Sequence, residues 1–261
     1  MKIANVDEVE VFADGDRGPV VLMLHGWPDT RSLWDAQVAA LSDRFRCVRF
    51  TLPGFEVGSG RRATSLEEML TLFDRVVDLV SPNRPIVLLL HDWGCFFGYQ
   101  YAMLRPDRID RVIGIDIGDA GSPAHVASLT ASAKAMTAGY QLWLAAAWRV
   151  GGPAGNVMTR AMARAIKAPA PANQVHCGMN YPYDILWTRS HGSYHEARTL
   201  ELACPLLFIY GRRKPFMFHS PKWATGLGAH PGCQVIAVEA GHWVMKDEPA
   251  IVNEAILRWL P

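Results

Sequence analysis

One aspartate in this sequence stands where a side chain could act as a nucleophile. The apolar run Ile86 to Leu90 is followed by His91, Asp92, Trp93 and Gly94, and a helix-like stretch begins at once. A strand that turns sharply into a helix lifts one side chain above the sheet edge, beside the helix N-terminus. The pattern predicts Asp92 as a nucleophile, against the simpler alternative that it only caps the helix.

A second turn could supply the hydrogen-bond donors that such a reaction needs. The apolar run Val20 to Leu24 ends in a His-Gly-Trp-Pro segment at residues 25–28. In a turn of this kind the backbone N–H after His-Gly can stabilise an oxyanion, together with the N–H that follows the nucleophile. We therefore predict an oxyanion hole formed by the amides of Trp27 and Trp93.

A histidine near the C-terminus is placed to act as the general base. His242 follows the last strand-like run in a strand-to-helix loop, and none of the other eight histidines has this position. His191 and His195 are four residues apart, but Gly192 lies between them and no third ligand is near, which argues against zinc. We expect no metal ion and no organic cofactor, with water as the second reactant.

Short apolar runs alternate with helix-like stretches along most of the chain. The strand-like runs are Val20 to Leu24, Arg46 to Phe50, Ile86 to Leu90, Val112 to Ile117, Pro205 to Tyr210 and Gln234 to Val238; the helix-like stretches include Leu33 to Leu41, Leu66 to Val80, Phe96 to Leu104 and Ala250 to Leu260. Runs that are apolar on both faces are typical of covered parallel strands. The alternation predicts an α/β fold with a mostly parallel, doubly wound sheet.

Residues 121–200 break this alternation. They contain no convincing strand, are rich in Ala, Met, Trp and Pro, and include helical patterns at 134–150 and 156–166. A helical insertion between parallel strands is expected to lie over the carboxyl edge of the sheet, where such folds bind ligands. We predict a helical cap at 121–200 on a core domain of residues 1–120 and 201–261, with Trp143 and Trp148 binding an apolar substrate.

The composition limits the classes of partner. Of the 261 residues 50% are hydrophobic and 20% charged, and a net charge of +1 gives no sign of a nucleic-acid groove or of binding to an anionic membrane. There is no signal-peptide pattern and no apolar stretch of roughly 18 residues. Five scattered cysteines argue against a disulfide framework. We expect a cytoplasmic monomer or homodimer acting on a small hydrophobic substrate and water.

The segments HGWP, HDWG and GH, in this order, resemble the epoxide hydrolase and haloalkane or haloacetate dehalogenase branch of the α/β-hydrolase superfamily. The resemblance covers essentially the whole chain, although the cap matches only in fragments. HGxP together with HDWG is specific, whereas GH alone is weak. Leu90 departs from the pattern, since a small residue is usual two positions before the nucleophile. The resemblance implies an α/β-hydrolase fold with a helical cap inserted after the sixth strand.

The acid that orients the histidine does not stand at its more common place. Many relatives carry it in a Y-G-x-x-D segment, which here begins at Tyr210 and ends in Lys214. Other members of the branch place it after the preceding strand, before the cap. Asp116 lies 116 − 92 = 24 residues after the nucleophile, the spacing that the haloacetate dehalogenases imply. Asp116 is therefore the predicted acid, with Asp119 in reserve.

A carboxylate nucleophile narrows the chemistry. Serine would displace a group at a saturated carbon only to leave an ether, whereas aspartate leaves an alkyl ester that histidine-activated water can cleave. In epoxide hydrolases two cap tyrosines assist the leaving oxygen. The segment at 139–143 resembles the one carrying the first, Tyr140. The segment at 179–183 resembles the one carrying the second but has Pro182 in its place, so Tyr181 or Tyr183 is expected there, with Tyr183 favoured.

Two alternatives remain open from the sequence. A haloalkane dehalogenase could use the same aspartate, but its halide site commonly draws on Asn or Glu where this chain has Trp27. An arginine after the nucleophile, which would hold a haloacetate, is replaced by Trp93. The other alternative is a protein that binds an apolar ligand without turnover, in which Leu90, Lys214 and Pro182 would be accumulated departures. Because nucleophile, base and acid are all present, the opening of an epoxide to a diol is the first prediction.

Overall fold

A computed structural model describes all 261 residues. Eight strands form one sheet: β1 (Lys2–Val6), β2 (Val9–Asp14), β3 (Val20–Leu24), β4 (Arg46–Arg49), β5 (Ile86–His91), β6 (Ile109–Ile115), β7 (Leu206–Gly211) and β8 (Gln234–Val238). Their order in the sheet is β1-β2-β4-β3-β5-β6-β7-β8. All pairings from β4 to β8 are parallel, and only β1 and β2 run antiparallel to their neighbours.

Ten helices accompany the sheet: α1 (Asp35–Leu41), α2 (Leu66–Val80), α3 (Trp93–Leu104), α4 (Pro123–Ser128), α5 (Ala131–Val150), α6 (Gly152–Ala165), α7 (Tyr181–Thr188), α8 (Pro221–Gly228), α9 (Val244–Asp247) and α10 (Pro249–Trp259). Local chemistry starts several of them. Ser65 and Glu68 form a reciprocal capping box at the start of α2, which satisfies two backbone donors that the first turn leaves free. No helix has the length and apolar character that crossing a bilayer requires.

The core lies on both faces of the sheet, as the apolar strands predicted. All residues of β3 and β5 are buried. Alternate residues contribute to different clusters: Leu22 and Leu88 pack on one face, whereas Val21 and Val87 pack on the other. This is the period-two pattern of a strand covered on both sides. The predicted α/β fold with a mostly parallel sheet is confirmed.

The first two strands were not predicted from the sequence. They form an antiparallel hairpin that turns at Asp7, whose φ is 53°. β1 is exposed or half-buried along its whole length, and only alternate residues of β2 are fully buried. An edge hairpin of this kind lacks the continuous apolar run that identifies the central strands.

Between β6 and β7 the named elements are all helical, namely α4 to α7 and a short 3-10 turn at Cys177–Asn180. α5 packs against both α6 and α7. The predicted helical pattern at 134–150 falls within α5, and the one at 156–166 matches α6 to within one residue at its end. The division into a core and a cap with boundaries at 121 and 200 stays a prediction.

Candidate active site

Asp92 occupies the sharp turn between β5 and α3. Its backbone has φ 52° and ψ −124°, a conformation that is strained for a residue with a side chain. The turn requires a glycine two residues after Asp92, because a Cβ on Gly94 would lie 2.2 Å from the carbonyl oxygen of Leu24. Such a turn holds the carboxylate above the sheet edge at the start of a helix.

The bulky residue two positions before Asp92 is accommodated by the helix that follows. Leu90 is fully buried, and a Cβ on Gly98 of α3 would lie 2.5 Å from Leu90 Cδ2. The space that a small residue would usually leave at position 90 is thus provided by a glycine at position 98. The departure at Leu90 is compatible with the elbow for this reason.

Backbone amides stabilise the Asp92 carboxylate. The amide of Trp27 donates to Asp92 Oδ1 over 2.6 Å, and the neighbouring amide of Trp93 favours the ionised carboxylate and lowers its pKa. A Cβ on Gly26 would lie 2.3 Å from Asp92 Oδ1, so this approach requires a glycine there. The structure brings both predicted donors, Trp27 and Trp93, to the predicted nucleophile.

His242 lies between two carboxylates. Its Nε2 is 3.5 Å from Asp92 Oδ2, and its Nδ1 is 2.6 Å from Asp116 Oδ2. Asp119 is engaged elsewhere, since it accepts hydrogen bonds from the backbone and hydroxyl of Ser220 and from the hydroxyl of Ser122. Of the two candidate acids, Asp116 is the one that contacts His242.

The charges in this cluster shift one another's pKa. Burial opposes the charged form of His242, but its hydrogen bonds to Asp116 and Asp92 and the negative charge of both carboxylates outweigh it and raise the pKa of His242 to about 9. Burial likewise opposes the ionised form of Asp116, yet the charge of Lys214 and the hydrogen bond from His242 lower its pKa to about 2. The pKa of Asp92 is also lowered, because His242 and the Trp93 amide outweigh burial. The resting site therefore holds two carboxylates and an imidazolium at neutral pH.

A cavity of about 510 Å³ opens over Asp92. Tyr140 of α5 and Tyr183 of α7 line it together with Asp92 and Trp93. The two tyrosine rings meet edge to face with centroids 6.0 Å apart, and the Tyr183 ring packs 5.2 Å from that of Trp93. Burial raises the pKa of both phenols, so both hydroxyls are neutral at physiological pH and can donate hydrogen bonds.

Three further predicted site residues do not line this cavity. Tyr181 is fully buried against Phe55 and Trp148, with ring centroids 6.0 and 6.1 Å away. Trp148 therefore packs inside the protein, and Trp143 is half-exposed with its indole N–H donating to the carbonyl of Met158. Periodicity indicated that these aromatic residues lie on helices, but it could not tell which face of each helix meets the cavity.

Some residues around the site were not predicted. Phe218 and Tyr194 line the cavity, and Phe218 also lies 5.4 Å from the His242 ring. Both come from irregular segments that carry no periodic signal. Lys214 was recognised only as a departure, yet it forms a buried ion pair with Asp116. Asn180 accepts a 2.7 Å hydrogen bond from the Trp27 indole and so fixes that side chain. No group of three or more acidic, histidine or cysteine side chains is arranged to hold a metal ion.

Comparison with known proteins agrees with this geometry. The model of the family described as "Alpha/beta hydrolase family" matches residues 21–255, which is most of the chain. The chain belongs to the alpha/beta hydrolase family. The predicted resemblance to this superfamily is thus confirmed.

The chain is similar to two curated proteins and one solved structure. The "Epoxide hydrolase" of Caballeronia sordidicola is 25% identical over 93% of this chain and 88% of its own length. The "Probable oxidoreductase EphD" of Mycobacterium tuberculosis is 37% identical over 108 residues, 40% of this chain, and the match spans only 18% of that protein. A crystal structure of Bacillus megaterium epoxide hydrolase with an inhibitor superposes with a TM-score of 0.73, at 20% identity and 98% coverage of both chains.

Proposed function

We propose that this α/β hydrolase opens an epoxide to a diol through a covalent ester on Asp92. One observation carries the proposal: the amide of Trp27 donates to Asp92 Oδ1, while Oδ2 faces His242 beside the cavity. One carboxylate oxygen is thus stabilised where an oxyanion would form, and the other is free to attack a substrate. Epoxide hydrolases among the relatives and structural neighbours support the same function.

The first step forms the ester. Asp92 Oδ2 attacks one epoxide carbon, the carbon–oxygen bond breaks, and its electron pair stays on the departing oxygen. Tyr140 and Tyr183 donate hydrogen bonds to that oxygen, and one of them passes it a proton that solvent replaces, so that the oxygen becomes a hydroxyl group. The product of this step is a hydroxyalkyl ester of Asp92.

The second step consumes one water. Once Asp92 is an uncharged ester, His242 loses one of the two carboxylates that favour its cationic form and releases its proton to solvent. The neutral imidazole can then accept a proton from water. The hydroxide attacks Cγ of residue 92, and the negative charge develops on Oδ1, where the oxyanion-hole amides point. Collapse breaks the bond between Cγ and the alkyl oxygen. That oxygen takes the proton from His242, which releases the diol. The Asp92 carboxylic acid then gives its proton to the imidazole, which restores the carboxylate and the imidazolium of the resting site.

A turnover assay with matched variants tests this function. The panel contains aryl and alkyl epoxides and haloalkanes, and wild type is compared with Asp92→Asn and His242→Gln. Asp43→Asn and His230→Gln are the controls, because both residues are exposed. We expect the wild type and the two controls to form diols, and Asp92→Asn to lose prompt turnover. His242→Gln should accumulate an alkylated peptide containing Asp92, detected by mass spectrometry.

Other results would assign another function. Halide release from haloalkanes without diol formation from epoxides would make the protein a dehalogenase with the same nucleophile. The Trp27 indole speaks against that alternative, because its N–H already donates to Asn180. Ligand binding without product or adduct, unchanged by Asp92→Asn, would favour a non-catalytic binding protein.

A further inference from the structure

A lysine is buried directly behind the acid of the site. Lys214 follows β7 and its side chain is only 6% exposed, while the Asp116 side chain is fully buried. The ammonium of Lys214 donates to Asp116 Oδ1, which also accepts the amide of Gly211 over 3.0 Å. Asp116 Oδ2 is left to His242. The carboxylate is thus shared, with a cation on one oxygen and the imidazole on the other.

Nothing else nearby accounts for the charge of Lys214. Asp116 is the only carboxylate that it pairs with. Its other neighbours are the rings of Tyr210 and Phe218, with centroids 6.0 and 5.7 Å from Nζ, and the imidazole of His219. Burying a lysine is costly unless it is paired, and burial lowers its pKa despite Asp116. The buried ammonium of Lys214 therefore acts mainly on Asp116 and, through Asp116, on His242.

The groups around His242 show why this matters. Asp92 and Asp116 contact the imidazole of His242 from the ends of β5 and β6. The carboxyl group of Asp29 acts on it through charge, and the ring centroids of His91 and His242 are 4.4 Å apart. Burial raises the pKa of Asp29 to about 7 and lowers that of His91 to about 3, so His91 is neutral at pH 7 and Asp29 carries at most part of a charge. Asp92 and Asp116 therefore supply most of the negative charge that favours a protonated imidazole.

The ester intermediate changes this balance. When Asp92 is alkylated its charge disappears, and Asp116 is then the main anion beside His242. With its full charge, Asp116 would continue to favour the protonated form of His242, which cannot accept a proton from water. The Lys214 ammonium, on the opposite oxygen, offsets part of that charge.

We propose that Lys214 is a positioning residue that acts through Asp116, holding its carboxylate and offsetting its charge so that His242 becomes a base once Asp92 is esterified. This inference rests on the proposed function for its catalytic meaning, but the coupling between Lys214 and His242 can be measured without turnover. Lys214 stands where many relatives carry the acid. In this chain the proposed acid, Asp116, follows the preceding strand, β6, and Lys214 occupies the position of the acid in those relatives.

The test uses Asp92→Asn, whose neutral side chain stands in for the ester. The pKa of His242 is measured by NMR in protein with labelled histidines, first with Lys214 present and then with Lys214→Met. We expect Lys214→Met to raise the pKa of His242 by about one unit or more, because an imidazolium loses a nearby buried cation. Lys214→Arg should restore the original pKa, and Lys222→Met, the same change at an exposed lysine, should leave it unaltered.

The same shift should appear in catalysis. With Asp92 intact, the pH midpoint for hydrolysis of the ester should move upward by a similar amount in Lys214→Met, while the rate of ester formation changes less. A lysine that only stabilises the fold would lower the unfolding temperature but leave the midpoint in place, and that result would overturn the inference. If wild type forms no ester at all, the proposed function fails, whereas the NMR comparison still decides the role of Lys214.

Two further measurements guard against a variant that does not fold. Lys214→Gln removes the charge but keeps an N–H donor for Asp116, and the same upward shift is expected. In Asp92→Asn alone, with Lys214 present, the pKa of His242 should lie near or below its ordinary value. A value that remains above about 8 would mean that Asp116 acts uncompensated, and would overturn the inference without any change at position 214.

Discussion

At the scale of single residues, the chemistry depends on which atom of each side chain is already occupied. Asp92 Oδ1 is bound by a backbone amide, whereas Asp92 Oδ2 lies beside the cavity with only His242 Nε2, 3.5 Å away, facing it. The same reasoning separates the three tyrosines of α5 and α7. Tyr140 and Tyr183 line the cavity, whereas the Tyr181 hydroxyl is buried without a hydrogen-bond partner.

The tyrosines give a prediction about the first chemical step. Tyr140→Phe and Tyr183→Phe should each slow ester formation by about 10²-fold, because the departing oxygen loses one donor, and the double variant should be slower still. Single-turnover measurement of ester formation checks this. Tyr181→Phe is the matched comparison and should change the rate less than about twofold. A loss in Tyr181→Phe as large as in Tyr183→Phe would mean that the cap packs differently over Asp92.

At the scale of elements, the packing of β5 against α3 beside Asp92 depends on the fit between the bulky Leu90 and the small Gly98. Gly98→Ala places a Cβ against Leu90 and should destabilise the protein by about 1–3 kcal/mol, as overpacked cores do. Leu90→Ala should cost about 2–5 kcal/mol by leaving a cavity. The double variant should lose clearly less than the sum, because the new methyl group occupies part of that space. Denaturant unfolding measures all three.

A helical glycine elsewhere provides the control for this pair. Gly139 lies in α5, and no atom lies within 4 Å of the position that an alanine methyl group would take there. Gly139→Ala should therefore be neutral or stabilising by up to about 1 kcal/mol. If the Gly98 and Leu90 changes were strictly additive, the two residues would not share space, and the explanation for the bulky Leu90 would be wrong.

The elements also show what the sequence could and could not reveal. β3, β5 and the turns after them were predictable, because continuous apolar runs followed by HGWP and HDWG leave few alternatives for their position. β1 and β2 were missed because neither strand of this hairpin contains such a run. Asp116 could be chosen only through a resemblance, since its partner His242 is 126 residues away in sequence. The packing of Tyr181, Trp143 and Trp148 depends on helix rotation, which tertiary contacts decide. The ion pair between Lys214 and Asp116 could not be predicted either, because tertiary contacts bring these two residues together.

At the scale of the whole molecule, the charged groups of the candidate site make the free energy of unfolding depend on pH. The pKa of His242 is raised to about 9 in the folded protein, above its ordinary value of about 6.5. A raised pKa contributes stability that is fully present below the unfolded pKa and is lost as pH rises through the folded one. We therefore expect the free energy of unfolding to fall between about pH 6.5 and 9, by up to about 3 kcal/mol.

The carboxylates of the site act in the opposite pH range. The pKa of Asp116 is lowered to about 2, so its contribution is present above about pH 4 and is lost as pH falls through 2. Denaturant unfolding at a series of pH values measures both trends. In His242→Gln the fall between about pH 6.5 and 9 should largely disappear, whereas His230→Gln, an exposed control, should keep it. An unchanged slope in His242→Gln would mean that other groups cause it.

The covalent ester on Asp92 is the central claim, and a single turnover in ¹⁸O-labelled water tests it most directly. The enzyme is used in excess over an epoxide substrate, and both the diol and the peptide containing Asp92 are weighed by mass spectrometry. The ester route predicts that the first diol carries the ordinary oxygen of Asp92 and that the labelled oxygen appears in the Asp92 carboxylate. If the first diol carries the labelled oxygen and Asp92 carries none, water attacks the epoxide directly and Asp92 is not the nucleophile.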